Sequence, residues 1–193
     1  MTVEDFAAIE AALKRAAAAL EEAGIPFLLG GSLASWARGG PETRHDLDLV
    51  IKPGDLDRGE AALRDAGLRI EHPPEQWLIK AWDGDVLIDL IHAPKGLEVT
   101  DEVIARGDEL AVLSMDMRVM ALEDVFTTKL MALSEHALRF QSLLQMARAL
   151  REQVDWEQVR TATADSPFAR AFFVMVEGLG VVAPAGSTPA RAG

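Results

Sequence analysis

The sequence predicts a mixed α/β fold of the α+β type, with a mixed sheet flanked by helices and a helical subdomain after it. Two patterns predict this fold. Between residues 25 and 92, short apolar runs bounded by Gly and Pro alternate with segments of helical spacing. After residue 114 the apolar positions recur at helical spacing only. We therefore expect an α/β domain over residues 1–114, a helical subdomain over 115–182 and a disordered tail over 183–193.

The first elements follow from apolar spacing and from the glycines that interrupt it. Apolar and Ala residues at helical spacing predict a helix over Val3–Glu22, which Gly24 ends. Ile25–Gly30 is a short apolar run that ends in two glycines, which predicts a buried strand. Ser32 is the expected N-cap of a short helix through Arg38, because its hydroxyl can accept from the N–H groups of the first turn.

The later elements are predicted in the same way. The predicted strands are Asp46–Ile51, Leu68–Glu71, Gln76–Trp82, Val86–Ile91 and Leu110–Leu113. The predicted helices are Asp55–Ala66, Leu122–Leu133, Ala137–Arg151, Trp156–Ala164 and Phe168–Leu179. The sequence Asp83-Gly84-Asp85 lies between two of these strands and predicts a hairpin turn.

Composition and charge restrict the classes of function. With 193 residues and 49% hydrophobic content, the chain can bury a sizeable core. The net charge of −12 argues against an extended nucleic-acid surface, and DNA is not an expected partner. The absence of cysteine excludes disulfides and thiolate metal sites. No run is long and apolar enough to span a membrane, and the acidic N-terminus does not resemble a signal peptide, so we expect a cytoplasmic protein.

Asp46 and Asp48 form the first candidate site. Residues two apart on a strand project from the same face, so these carboxylates lie side by side, while Leu47 and Leu49 face an apolar layer. Two adjacent carboxylates repel each other unless a cation lies between them, and Mg²⁺ favours such ligands together with phosphate oxygens. The alternative is a solvated strand edge, although Asp is depleted in strands.

Gly30, Gly31 and Ser32 precede this pair by one short helix. Glycines let the backbone approach a ligand closely, and the N–H groups of a helix N-terminus can bind an anion. The Ser32 hydroxyl can add a hydrogen bond to a phosphate. Alone, such a sequence is more often a turn, but its position before paired carboxylates favours a phosphate site.

Asp89 is the third candidate carboxylate. It interrupts Val86–Ile91, the most apolar strand in the chain, where a charged Asp is costly without a partner. An Arg or backbone donors could supply that partner. The preferred interpretation is that Asp89 joins Asp46 and Asp48 in a site for two metal ions, Mg²⁺ or Mn²⁺.

These motifs together resemble the DNA polymerase β-type nucleotidyltransferase superfamily: Gly-Gly-Ser, then Asp-x-Asp opening a strand, then an isolated Asp on a later apolar strand. The stretch Pro41–Leu49 is especially similar to small bacterial members. Those members include aminoglycoside and lincosamide nucleotidyltransferases and abortive-infection toxins of toxin–antitoxin pairs. The similarity covers residues 25–92 and continues more loosely into Leu122–Leu133.

The resemblance implies a role for each matching residue. The residues expected to bind the NTP are Gly30, Gly31, Ser32, Arg44 and Lys129. The residues expected to bind the metals and carry catalysis are Asp46, Asp48 and Asp89, with Asp89 also accepting the proton of the acceptor. The chain departs from the toxin branch over residues 138–145, where no carboxylate occurs, so a fourth carboxylate from the helical subdomain is not expected.

The acceptor is the part of the reaction that the sequence indicates least. An RNA 3′ end, for example of tRNA, is favoured by the toxin-like helix around Lys129, and an antitoxin protein would then be a partner. The local basic patch would consist of Arg38, Arg44, Lys80 and Arg139. The alternatives are an antibiotic acceptor and a nucleotide-binding module without turnover.

Overall fold

A computed structural model describes residues 3–41 and 47–186. The strands, in chain order, are β1 (Phe27–Leu29), β2 (Leu47–Ile51), β3 (Arg69–Glu71), β4 (Leu78–Asp83), β5 (Val86–Ile91), β6 (Asp108–Val112) and β7 (Met115–Val119). They form one seven-stranded mixed sheet in the order β3-β4-β5-β2-β1-β7-β6. The centre of the sheet is β2, which pairs antiparallel with β1 and parallel with β5.

Helices flank this sheet and continue after it. They are α1 (Val3–Glu22), α2 (Gly31–Trp36), α3 (Leu56–Asp65), α4 (Asp101–Ala105), α5 (Leu122–Met131), α6 (Phe140–Leu150), α7 (Trp156–Ala162) and α8 (Pro167–Gly178), with a 3₁₀ turn at Pro53–Asp55. The predicted fold class, a mixed sheet with flanking helices and a helical C-terminal part, is confirmed. In the part of the chain that the structure describes, no helix has the length and apolar character needed to cross a membrane.

One face of the central strands forms the core. Leu49, Ile51 and Leu90 are completely buried on that face, and α1 and α3 pack over it. Gly59 of α3 lies so close that an added Cβ would be 3.2 Å from both Ile51 Cδ1 and Leu90 Cδ2. Because side chains alternate along a strand, the residues between these three project from the opposite face.

Two predicted details near β1 are wrong. Ser32 is not an N-cap, because α2 begins at Gly31 and its N-cap is Gly30, which provides no side-chain hydrogen bond. The helix also ends at Trp36 rather than at Arg38. The reason is that the chain enters the helix at Gly31, whose φ of +60° is the left-handed conformation that favours glycine.

The sequence patterns missed α4 and β7. The β6–β7 hairpin turns through Leu113 and Ser114, whose φ angles are 48° and 63°. Such turns normally use Gly or Asn, so neither residue signals a turn in the sequence. Since β7 belongs to the sheet and α5 starts at Leu122, we propose that the domain boundary expected after residue 114 lies between β7 and α5 instead.

The helical part packs around aromatic side chains. Phe126 of α5 contacts Trp156 of α7 edge-on, with ring centroids 4.8 Å apart. Trp156 also lies 6.4 Å from Phe173 of α8. Such edge-to-face pairs add to the hydrophobic stabilisation that burial provides. Helix α5 is therefore held on one side by α7 and α8, and it packs on its other side against α2.

An ion pair between the exposed Arg106, at the C-cap of α4, and the buried Asp124 joins α4 to α5. Arg106 donates from Nε and Nη2 to the two carboxylate oxygens of Asp124, at 2.7 and 2.6 Å. Asp124 is only 3% exposed, and its hydrogen bond raises the pKa of Arg106 above the usual range. A bidentate pair of this kind fixes orientation as well as position, because two parallel hydrogen bonds must form at once.

We expect Arg106→Met to lower the free energy of unfolding by about 2 kcal/mol, since it leaves the buried Asp124 carboxylate without its charged donors. The measurement is urea denaturation. The control is Arg151→Met, which removes an exposed pair with Glu152 and should cost less than about 0.5 kcal/mol. Equal losses in the two variants would contradict a stabilising role for the Arg106–Asp124 pair.

Candidate active site

Asp48 and Asp89 lie side by side on the face of the sheet opposite the core. In the parallel pairing of β2 with β5, Asp48 is the direct partner of Asp89. Paired residues on neighbouring strands share a face and stand about 5 Å apart. Both side chains are half-buried. Two like charges at this separation favour a cation between them, and carboxylate oxygens are the hard ligands that Mg²⁺ takes.

The third predicted carboxylate, Asp46, lies outside the described residues, as does the predicted nucleotide ligand Arg44. Within residues 3–41 and 47–186, no group of three or more His, Cys, Asp or Glu side chains could hold a metal ion. The described residues thus bring together two of the three carboxylates, and this pair fits a divalent cation that takes its other ligands from elsewhere.

Gly31 lies directly against the Asp48 carboxylate. A Cβ added at Gly31 would stand 1.6 Å from Asp48 Oδ2, a distance that no side chain could occupy. Its neighbour Gly30 donates its backbone N–H to the Asp48 carbonyl at 2.8 Å. The glycines were predicted to admit a phosphate. The structure gives a closer reason for Gly31, which is that only glycine leaves room for this carboxylate.

Ser32 and Lys129 meet at the other side of Gly31. Lys129 lies in the last turn of α5, and its Nζ donates to Ser32 Oγ at 3.2 Å. This contact connects the helical part of the chain to the first turn of α2. Because the serine oxygen accepts from Lys129, the serine hydroxyl can donate its own hydrogen to a phosphate oxygen. The two predicted nucleotide ligands are thus adjacent.

Lys80 is a neighbour of the carboxylates that the motifs did not indicate. In the antiparallel pairing of β4 with β5, Lys80 is the direct partner of Asp89, and it is half-buried. Three neighbouring strands therefore present Lys80, Asp89 and Asp48 in one row across the sheet, and Gly30, directly after β1, continues this row. From the sequence, Lys80 was predicted only as part of a basic patch for RNA. Its register with Asp89 depends on the hairpin and could have been read from the Gly84-Asp85 turn.

Arg38 does not contribute to a basic patch. Its side chain is 7% exposed and its Nη2 donates to Asp108 at 2.8 Å. The same nitrogen donates to the Val119 carbonyl at 3.2 Å. These contacts tie the end of α2 to β6 and β7, so the guanidinium is a structural group. Arg139, the fourth predicted member of the patch, is exposed at the N-cap of α6.

Most of the chain matches a known protein family. A family model described as "Uncharacterised nucleotidyltransferase" matches residues 1–177. A search of curated protein sequences found no significant match.

Solved structures with the same fold include two of one protein. The solution structure of the antibiotic-resistance factor ANT(2'')-Ia matches with a TM-score of 0.58 and 17% identity, over 89% of this chain and 96% of that one. The crystal structure of ANT(2'')-Ia in complex with adenylyl-2''-tobramycin matches with a TM-score of 0.60 and 19% identity, over 86% and 97% of the two chains. At these identities the likeness supports a common fold.

Two glycines with the same backbone conformation test the contact between Gly31 and Asp48. Gly31 and Gly24 have φ angles of +60° and +64°, but an added Cβ at Gly24 would meet nothing within 4 Å. Left-handed strain costs about 1 kcal/mol in either alanine variant. We expect Gly31→Ala to lower Tm further than Gly24→Ala, because it also displaces the Asp48 carboxylate. The double variant Gly31→Ala/Asp48→Ala should recover part of that extra loss. Equal Tm values for the two single variants would contradict the contact.

Proposed function

This chain belongs to the family of uncharacterised nucleotidyltransferases, and we propose that it moves a nucleoside monophosphate from an NTP to an acceptor hydroxyl with the help of a divalent metal. The observation that carries the proposal is the pairing of Asp48 with Asp89 beside the close backbone approach of Gly31. In the reaction, the acceptor oxygen forms a bond to the α-phosphorus of the NTP. The bond from that phosphorus to the bridging oxygen breaks, and pyrophosphate leaves.

The triphosphate would lie along Gly30, Gly31 and Ser32, next to Lys129. The Lys129 ammonium is within hydrogen-bond distance of Ser32 Oγ, so a phosphate that contacts the hydroxyl also meets a positive charge. A lysine is a compact point charge with several donors, which suits the β- and γ-phosphates of a leaving pyrophosphate. We further propose that Arg44, which precedes β2 in the sequence, contributes a second positive charge.

Asp48 and Asp89, together with Asp46, would hold Mg²⁺ or Mn²⁺. When bound, the metal supplies charge neutralisation for the phosphates and orients the reacting oxygens. The residues of the chain supply the rest. Asp89 is on the strand farther from Gly31, so its carboxylate is the better placed of the two to accept the proton of the acceptor hydroxyl. No carboxylate occurs over residues 138–145 of the helical part to share that role.

A small-molecule acceptor is favoured over an RNA 3′ end. The basic patch proposed for RNA loses Arg38, whose guanidinium is engaged with Asp108. Among the described residues, Lys80 and the exposed Arg139 are the remaining members of that patch. With a net charge of −12, a polynucleotide would have few phosphate contacts. The structurally similar ANT(2'')-Ia was crystallised with an adenylylated antibiotic, which supports a small hydroxyl compound as the acceptor class.

The function is tested by incubating the protein with Mg²⁺ and each of the four α-³²P-labelled NTPs. Total tRNA, aminoglycosides and lincosamides are offered as acceptors, and water serves as the acceptor for hydrolysis to NMP. Label in a small molecule or in NMP, lost on addition of EDTA, is the expected result. Label in tRNA would support the RNA 3′ end instead, and an antitoxin partner would then become a reasonable expectation. A protein that binds NTP, as detected by thermal shift, without any turnover would be a nucleotide-binding module.

Asp48→Asn and Asp89→Asn should each reduce NTP turnover at least about 100-fold, because each removes a charge from the centre of the reaction. In the absence of metal both variants should melt at or slightly above the wild-type temperature, since the repulsion between the carboxylates is relieved. The matched control is Asp116→Asn, which changes an exposed strand carboxylate on β7. Full activity in both site variants would reject this site.

Lys129→Met should weaken NTP binding about 10-fold or more, since hydrogen bonds to charged groups contribute about 1.5–3 kcal/mol. Isothermal titration calorimetry with NTP and Mg²⁺ measures the effect. Lys14→Met is the control, because Lys14 lies on α1 and pairs with Glu10. An unchanged Kd for Lys129→Met would remove this lysine from the triphosphate site.

A further inference from the structure

Lys80 stands at one end of the row of polar positions that crosses the site. The row runs from Lys80 on β4 through Asp89 on β5 and Asp48 on β2 to Gly30 after β1. Directly paired residues share a face of the sheet, so the Lys80 side chain leaves the sheet on the side of the two carboxylates. At about 5 Å per strand, Lys80 is one strand from Asp89 and two from Asp48.

Lys80 forms no ion pair with any other residue that the structure describes. Among the described residues, no Asp or Glu oxygen lies within 4.0 Å of its Nζ. Its partner on the outer side is Glu71, whose Oε2 accepts from Trp82 Nε1 at 3.0 Å and lies 3.6 Å from Arg69. Lys80 is nevertheless half-buried. A half-buried ammonium without such a pair can serve a ligand.

The direction of the reaction indicates which ligand Lys80 meets. The groups proposed for the triphosphate, Gly31, Ser32 and Lys129, lie on the β1 side of the carboxylates. In an in-line displacement the attacking and leaving oxygens are on opposite sides of the phosphorus. If pyrophosphate leaves toward Lys129, the acceptor approaches from the side of β5 and β4. Lys80 is therefore next to the acceptor and not next to the pyrophosphate.

We propose that Lys80 is a specificity-determining residue of the acceptor site, and that the acceptor carries an anionic group near its reactive hydroxyl. This inference rests on the proposed function. A phosphate or carboxylate of a small acceptor would form a charge-assisted hydrogen bond with the Lys80 ammonium. An ammonium group in the same position would meet a like charge, so acceptors such as aminoglycosides, which carry several ammonium groups, are disfavoured at this site.

The test uses acceptors that share one ring and differ in one substituent: glucose 6-phosphate, glucuronate, glucose and glucosamine. Transfer of label from an α-³²P-NTP gives kcat and KM for each. The wild-type protein should use the anionic acceptors about tenfold better than glucose, and glucosamine least. The phosphate and carboxylate compounds show which anion is preferred. Ribose and ribose 5-phosphate provide the same comparison on a second sugar ring. Transfer RNA is offered as a polynucleotide acceptor.

Variants of Lys80 separate recognition from stability. Lys80→Met should remove the preference by raising KM for the anionic acceptors, with the Kd for NTP unchanged in calorimetry. Lys80→Arg should retain the preference and Lys80→Glu should reverse it toward glucosamine. If Lys80→Met does not fold, Lys80→Gln takes its place. Lys14→Met is the control on α1.

Several results would overturn the inference. One is that the wild-type protein uses glucosamine as well as, or better than, the anionic acceptors. Another is that the Lys80→Met variant keeps the preference for anionic acceptors. Hydrolysis of NTP without label in any anionic acceptor would overturn it as well, and so would label in tRNA alone, while the proposed transferase activity would stand. If the wild-type protein neither binds nor hydrolyses NTP, the proposed function itself fails.

Discussion

The repulsion between two neighbouring carboxylates is the constraint on which the site depends. Asp48 and Asp89 are direct partners on adjacent parallel strands. Because side chains alternate between the two faces along each strand, both carboxylates lie on the same face of the sheet. A positive charge stabilises such a pair, and a divalent cation suits this position. The same constraint explains Gly31, since a side chain there would collide with the Asp48 carboxylate. The paired carboxylates and the backbone conformation are therefore coupled at one point of the fold.

The helical part of the chain contributes to the site by orienting one lysine. Aromatic contacts of Phe126 and Trp156 fix α5 against α7, and the Arg106–Asp124 pair fixes it against α4. Lys129 follows at the last turn of α5 and reaches Ser32. A long lysine side chain loses considerable rotamer freedom when it is held in one place. The surrounding packing already restricts the Lys129 side chain. Nucleotide binding would therefore cost less conformational entropy, which is the usual benefit of preorganisation.

The sequence predicted the elements that have local signals and missed the features that depend on backbone conformation or on contacts between distant residues. Val86–Ile91 and the hairpin before it were predicted correctly, because a short apolar run and the Gly84-Asp85 turn are local signals. The β6–β7 hairpin was missed because Leu113 and Ser114 adopt positive φ angles without being Gly or Asn. The engagement of Arg38 with Asp108, by contrast, depends on strand pairing between residues distant in sequence. Motif spacing contains no information about such contacts.

The register that aligns the two carboxylates is maintained by the core on the other face. Leu47, Leu49 and Ile51 alternate with Asp48 along β2, and all three are almost fully buried. A slip of one residue against β5 would expose these side chains and bury the carboxylate, because the side-chain period of a strand is two. Each buried leucine or isoleucine contributes about 1.5–3 kcal/mol, so the slipped pairing is strongly disfavoured. The hydrophobic face therefore fixes the position of two carboxylates that would by themselves repel each other.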